Sequence, residues 1–104
     1  MAKEYRRYYK VLGANSSETD EFIPPSGTYY ISALGGSSSA SPDTLVEIIW
    51  DFGGTEEILF ATHNDSDHTV NIELPGDGSK ILAIRLTNDQ GVPDTLGGFW
   101  TGSD

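Results

Sequence analysis

Apolar and polar residues alternate with a period of two along most of this chain. From 44 to 52, Val46, Ile48, Trp50 and Phe52 fall on one side, with Glu47 and Asp51 on the other. In 56–62, Ile58, Phe60 and Thr62 share a face; in 69–74, Val70, Ile72 and Leu74 alternate with Thr69, Asn71 and Glu73. In 79–87, Leu82, Ile84 and Leu86 oppose Ala83, Arg85 and Thr87, and 28–34 contributes Tyr29, Ile31 and Ala33. Near the N-terminus, Tyr5, Tyr9 and Val11 fall on a common face. Successive side chains of an extended strand point to opposite faces, so each run predicts a strand. In 44–52 the apolar set is expected inward, with Glu47 and Asp51 in water.

The punctuation agrees. Gly53-Gly54, Asn64-Asp65-Ser66-Asp67 and Pro75-Gly76-Asp77-Gly78 separate the runs by the few residues that tight connections need. The glycines at 53–54, 76–78 and 97–98 read as turn formers. No segment combines a helix start, an apolar 3.6-residue stripe and a stop, so helix content close to nil is expected. One sheet would leave a face of this apolar set wet. Two antiparallel sheets facing each other bury it, which predicts an all-β sandwich, jelly-roll or Ig-like, of about seven to eight strands.

Composition divides this single domain into three parts. Residues 1–12 form a basic, aromatic arm or strand, 13–27 a polar linker with Pro24-Pro25, and 28–104 the sandwich body. The loop 35–43, from Gly35 to Asp43, reads as exposed and mobile, free to cross between sheets. A chain of 104 residues supports one core. There is no cysteine, which excludes disulfides and thiolate metal sites. No apolar run reaches membrane-span length, and no apolar stretch follows the basic N-terminus as a secretory signal would require.

Charge adds a second organising feature. Lys3, Arg6, Arg7 and Lys10 lie in the first ten residues against Glu4 alone, a net of +3. The other 94 residues hold fifteen carboxylates against Lys80 and Arg85, a net of −13. A body this acidic repels nucleic acid and anionic lipid, so neither is expected as a direct partner. Basic residues interleaved with Tyr5, Tyr8 and Tyr9 are able to stack on single-stranded nucleic acid. Beside so acidic a body, the favoured reading is that the arm docks on an acidic face of its own domain or of a neighbouring subunit.

Candidate chemistry is sparse. His63, Asp65, Asp67 and His68 are of metal-ligating types, but their spacing fits neither a calcium loop nor a zinc motif, and a polar hairpin turn accounts for them. No cofactor is implied. Glu56, Glu57 and Asp51 are carboxylates at strand ends beside glycine turns, where solvated charge is the simpler role. No serine sits in a G-x-S-x-G setting. A non-enzymatic chain is therefore expected. Trp50, Trp100, Phe99, Tyr29 and Tyr30 are rings of the kind that stack on sugars; the period assigns Trp50 to the core. Phe99 and Trp100 suggest a half-buried last strand with a ring exposed for an interface. The interface candidates are Lys3, Tyr5, Arg6, Arg7, Tyr8, Tyr9, Lys10, Phe99 and Trp100.

The stretch Ser26-Gly27-Thr28-Tyr29-Tyr30-Ile31-Ser32-Ala33, the turn-rich run from Val46 to Leu86 and the closing Leu96-Gly97-Gly98-Phe99-Trp100 resemble small β-sandwich virion proteins of tailed bacteriophages. Those include capsid decoration (cement) proteins and head- or tail-associated subunits. The resemblance covers most of 22–101 in style and size, without a diagnostic motif. It implies a structural protein, a homo-oligomer bound to capsid or tail subunits, located in the virion and assembled in the host cytoplasm. It carries over no site residues. Two other functions are consistent with the sequence: a carbohydrate-binding or host-attachment module, and an acidic inhibitor that mimics nucleic acid. On the assembly reading, truncating 1–12 is expected to weaken assembly more than the fold.

Overall fold

A computed structural model describes residues 3–39 and 41–104; Met1 and Ala2 of the arm and Ala40 of the loop lie outside the described residues. Eight strands run in chain order: β1 (Lys3–Leu12), β2 (Ser16–Phe22), β3 (Gly27–Ser37), β4 (Thr44–Trp50), β5 (Glu57–Thr62), β6 (Ser66–Gly76), β7 (Leu82–Asn88) and β8 (Asp94–Ser103). No helix occurs among the described residues. The sheets have the orders β1-β8-β3-β6 and β2-β7-β4-β5. All their pairings are antiparallel. Thus β1 pairs with β8, β2 with β7, β3 with β6 and β4 with β5, as if one long hairpin had been wound into two layers. That winding is a jelly roll, and it settles the choice against an Ig-like order.

Between the layers, Val46, Ile48, Leu82, Ile84, Leu86, Leu96 and Trp100 have no exposed surface. Burying each such side chain contributes about 1.5–3 kcal/mol. Trp100 anchors an aromatic cluster, 5.2 Å from Phe22 and 5.9 Å edge-on from Tyr29 between ring centroids. The inward sets expected for 44–52, 69–74 and 79–87 pack against this core except Phe52, which lies past the end of β4 in a turn and is only half-buried.

Four readings of the sequence change. The stretch 13–27 is not only linker, because Ser16–Phe22 forms β2 along its full length against β7. It carries few apolar residues because its inward positions Glu18 and Asp20 meet cations of β1. Second, Ala33 does not share the inward face of Tyr29 and Ile31. A register shift between Ile31 and Ala33 reverses the phase, and Leu34 takes the core position at 2% exposure. A shift at Ile48/Ile49 likewise leaves Ile58 exposed while Leu59 packs on the core. Third, Glu47 is buried instead of facing water, since the register sets it opposite Arg85, whose Nε donates to it at 2.9 Å.

Fourth, Gly35, Gly36, Gly76, Gly97 and Gly98 belong to strands and not to turns or a loop. A Cβ at Gly35 would fall 2.6 Å from the Phe99 ring, so glycine here serves close approach. The remaining connection is tied down. The Ser38 hydroxyl donates to the His63 carbonyl, the Ser38 amide to Asp65, and the Ser39 hydroxyl to Asp94.

Candidate protein-contact face

Strand β1 is an edge strand, and its period of two splits the basic segment into two functional halves. Glu4, Arg6, Tyr8 and Lys10 point toward β2 across the open side of the sandwich. Arg6 Nε lies 3.3 Å from Asp20, its NH2 group donates to the Glu21 carbonyl at 2.9 Å, and its guanidinium sits 5.3 Å over the Phe22 ring. The Lys10 ammonium lies 2.8 Å from Glu18, and the Tyr8 hydroxyl donates to the same carboxylate at 3.2 Å. The hydrogen bond from Lys10 holds Glu18 below the usual carboxylate range, and the reciprocal bond raises Lys10. The expected docking of the arm on an acidic face therefore occurs within the chain for these residues. Arg6, Tyr8 and Lys10 are engaged in closing the seam.

Lys3, Tyr5, Arg7, Tyr9 and Val11 point the other way, onto the outer face of the β1-β8-β3-β6 sheet. Tyr5 and Val11 are 59% and 69% exposed, which is unusual for residues of this size on a ten-residue strand. Pairing with β8 places Tyr5 opposite Thr101, Arg7 opposite Phe99 and Tyr9 opposite Gly97. The Tyr5 and Phe99 rings meet at 6.2 Å between centroids, and the Arg7 guanidinium stacks 4.3 Å from the centre of Tyr9. No carboxylate pairs with Arg7 or Lys3 among the described residues. Tyr30, 43% exposed and paired with Glu73, extends the aromatic surface across β3.

Between Tyr9 and Phe99 runs a shallow groove of about 270 Å³, floored by Gly36 and walled by Ser37, Asp65 and Asp67. A second hollow of about 180 Å³, beyond Phe99, reaches His68 and Thr69.

Trp100 is not a contact residue. It is fully buried, because its neighbour Phe99 takes the outward position of β8 and Trp100 the inward one. The sugar-stacking set divides similarly: Trp50, Tyr29 and Trp100 lie in the core, leaving Phe99 and Tyr30 outside.

The metal-type residues do not converge. The Nδ1 atom of His63 faces the Thr44 carbonyl, and Nε2 of His68 faces the Ser66 hydroxyl at 2.9 Å. Asp65 accepts from the Ser37 hydroxyl and the Ser38 amide. No group of three His, Asp or Glu side chains comes together as a metal site among the described residues. The Thr62 hydroxyl donates to the Asn64 carbonyl and accepts from the Asn64 amide, as a polar turn requires. The carboxylates of Asp51 and Glu56 accept from the amides of Thr55 and Gly53, so both serve their own turn.

One structural residue escaped the sequence reading. Asn88 is fully buried at the end of β7, and its amide donates to the carbonyls of Leu12 and Gly13 at 3.3 and 3.2 Å and of Val92 at 3.0 Å. It thereby fastens the end of β1 to the turn that leads into β8. Its only sequence signal is a polar residue closing an apolar strand, which any turn also shows.

The sequence matches no family model, and no curated protein matches it. Among solved structures, the chain is similar to a de novo designed double-stranded β-helix determined by solution NMR. The two are 15% identical, with 91% of this chain and 97% of that chain covered and a TM-score of 0.44. It is also similar to a structure of infectious bursal disease virus, Gx strain, at 13% identity, with 96% of this chain and 32% of that chain covered and a TM-score of 0.36. Likeness at these levels bears on neither family nor function.

Proposed function

We propose that this chain is a non-enzymatic structural subunit, a phage virion component of the capsid-decoration type, that binds neighbouring protein subunits through the outer face of the β1-β8-β3-β6 sheet. The observation that carries this reading is the composition of that face. Tyr5, Arg7, Tyr9, Val11 and Phe99 gather on one flat surface, and aromatic residues with arginine dominate the energetics of protein interfaces. Arg7 faces outward with no ion pair among the described residues, which suits it to meet a carboxylate of another subunit. Of the residues that looked most like chemistry, Asp51, Glu56, His63, Asp65 and His68 are hydrogen-bonded within or beside turns. The size and style of the chain, similar to small virion sandwiches, support the assignment to a particle.

The test is particle association. Particles banded by density are expected to carry the chain, and the folded double variant Tyr5→Asp/Phe99→Asp is expected to be lost from the band. Equal incorporation of the variant would move the contact elsewhere; absence of the natural chain from the particles would remove the virion assignment.

A second reading has one observation in its favour. The groove between Tyr9 and Phe99 sets rings beside the carboxylates of Asp65 and Asp67, an arrangement suited to the C–H face and hydroxyls of a sugar. Binding on a glycan array that disappears in Phe99→Ala would favour it.

A further inference from the structure

Two rows of outward positions cross the β1-β8-β3-β6 sheet. One runs Arg7, Phe99, Gly35 and Asp67, each opposite the next in the strand register. The other runs Tyr9, Gly97 and Ser37, and the Ser37 hydroxyl carries it on to Asp65. Each row thus has an aromatic ring toward β1, a glycine in the middle and a carboxylate at the far end. The groove of about 270 Å³ lies between the rows, over Gly36.

Glycine brings ring and carboxylate together. A Cβ at Gly35 would fall 2.6 Å from Cε1 of Phe99 and 2.8 Å from Cβ of Asp67, so the ring reaches across Gly35 to the stem of the acid. Asp65 is held in place: its Oδ1 accepts from the Ser37 hydroxyl at 2.9 Å and the Ser38 amide at 3.2 Å, and its Oδ2 takes part in neither bond.

The carboxylate end of the groove has no cation of its own. Neither Asp65 nor Asp67 forms an ion pair among the described residues. Arg7 begins the row that Asp67 ends, but three strand spacings of about 4.8 Å, roughly 14 Å in all, lie between them. That exceeds the screening length of about 8 Å at physiological salt. Arg7 therefore does little to neutralise Asp67 or to repel a cation bound beside it.

Size and charge define what fits. The groove falls just short of the roughly 300–1,000 Å³ of pockets that enclose a drug-sized ligand, which suits it to a single long side chain. A guanidinium is planar, stacks on aromatic rings and offers paired N–H donors to carboxylates, so it uses both walls at once. The net charge of −10 also draws basic partners to this chain.

We propose that this groove receives an arginine side chain of a neighbouring protein subunit, with its guanidinium between Asp65 and Asp67 and against the Phe99 ring, and its stem along Tyr9. The inference rests on the assembly reading and supplies the chemistry of the partner.

Nuclear magnetic resonance titration of the isotope-labelled full-length chain tests it with two probes. One is the blocked peptide acetyl-Gly-Arg-Gly-amide; the other carries citrulline, which has nearly the same shape without the charge. Saturable shifts at the amides of Ser66, Asp67 and Phe99 are expected, with arginine preferred about tenfold, the size of two exposed ion pairs. Asp67→Asn is expected to weaken the arginine probe about threefold and leave the citrulline probe unchanged. Phe99→Leu is expected to weaken the arginine probe by a similar factor as the cation–ring contact is lost. Unchanged shifts away from the groove would show that both variants fold. Equal binding of the two probes, no saturable shift with either, or shifts centred elsewhere would each overturn the inference. A monosaccharide that saturates the groove where arginine does not would overturn it in favour of the sugar reading. Particle association that persists beside any of these results leaves the contact face standing without this occupant. Arginine preference in a chain absent from particles would keep the groove's specificity and remove the virion assignment.

Discussion

The ring of Tyr9 lies directly over Gly97 of the neighbouring strand, so close that a methyl group on that glycine would fall 2.0 Å from Cδ2. Glycine at this position is what lets an aromatic side chain lie flat against the sheet and carry the Arg7 guanidinium on it. Gly97→Ala is therefore expected to swing Tyr9 off the sheet, and overpacking of this kind costs about 1–3 kcal/mol. Thermal denaturation would show the loss. Near-ultraviolet circular dichroism would show the displaced ring, with the far-ultraviolet strand signal retained.

Removal of residues 1–12 is expected to unfold the domain, contrary to what the basic, arm-like sequence suggested. Strand β1 pairs with β8 from end to end, and Leu12, at 1% exposure, belongs to the core. Without it, β8 loses a pairing partner along its whole length and the Phe22 ring loses the Arg6 guanidinium above it. Loss of the cooperative melting transition would be the result; a truncated chain that still melts sharply would show that the seven remaining strands suffice.

Asn88→Ala is expected to cost about 1–3 kcal/mol, because three backbone carbonyls lose a donor in or beside a buried site. Urea denaturation would measure it. The carbonyls of Leu12, Gly13 and Val92 belong to two separate connections, so amide exchange is expected to speed up at both.

Burial pushes the Tyr29 hydroxyl up to about 12 from its ordinary 10.0, helped by the charges of Glu4 and Asp104. The folded state thus holds this proton more tightly than the unfolded chain. Its contribution to stability is complete below pH 10 and drains away as pH rises toward 12. Among the described residues the hydroxyl has no hydrogen-bond partner, so Tyr29→Phe is expected to melt at the same temperature or higher at neutral pH. Between pH 10 and 12 the variant should lose less stability than the parent. Paired melting curves at neutral and alkaline pH would check both statements.

Much of the fold was readable from alternation, because burying one face of a strand imposes a period of two. Val46, Ile48, Leu82, Ile84 and Leu86 could hardly be placed elsewhere. The places where the reading slipped share a cause. Ala33 and Ile58 fell out of phase because a bulge shifts register without marking the apolar pattern. Strand β2 was hidden because its inward positions are carboxylates, whose neutralising cations come from a different strand. Trp100 looked like a surface ring because two adjacent aromatics do not reveal which of them points inward.

For this protein, the sequence alone determined that there are two stacked β layers, since its period-two apolar runs have no other way to leave water. It also determined that the cations gather at one end of an acidic chain. Only the tertiary structure decided which of those cations are spent. The winding of the two layers sets β1 beside β2, neutralising Arg6 and Lys10 with Glu18 and Asp20 while turning Arg7 and its rings outward. Local patterning fixes how each strand presents its faces; which strands become neighbours depends on how the whole ribbon closes over its core.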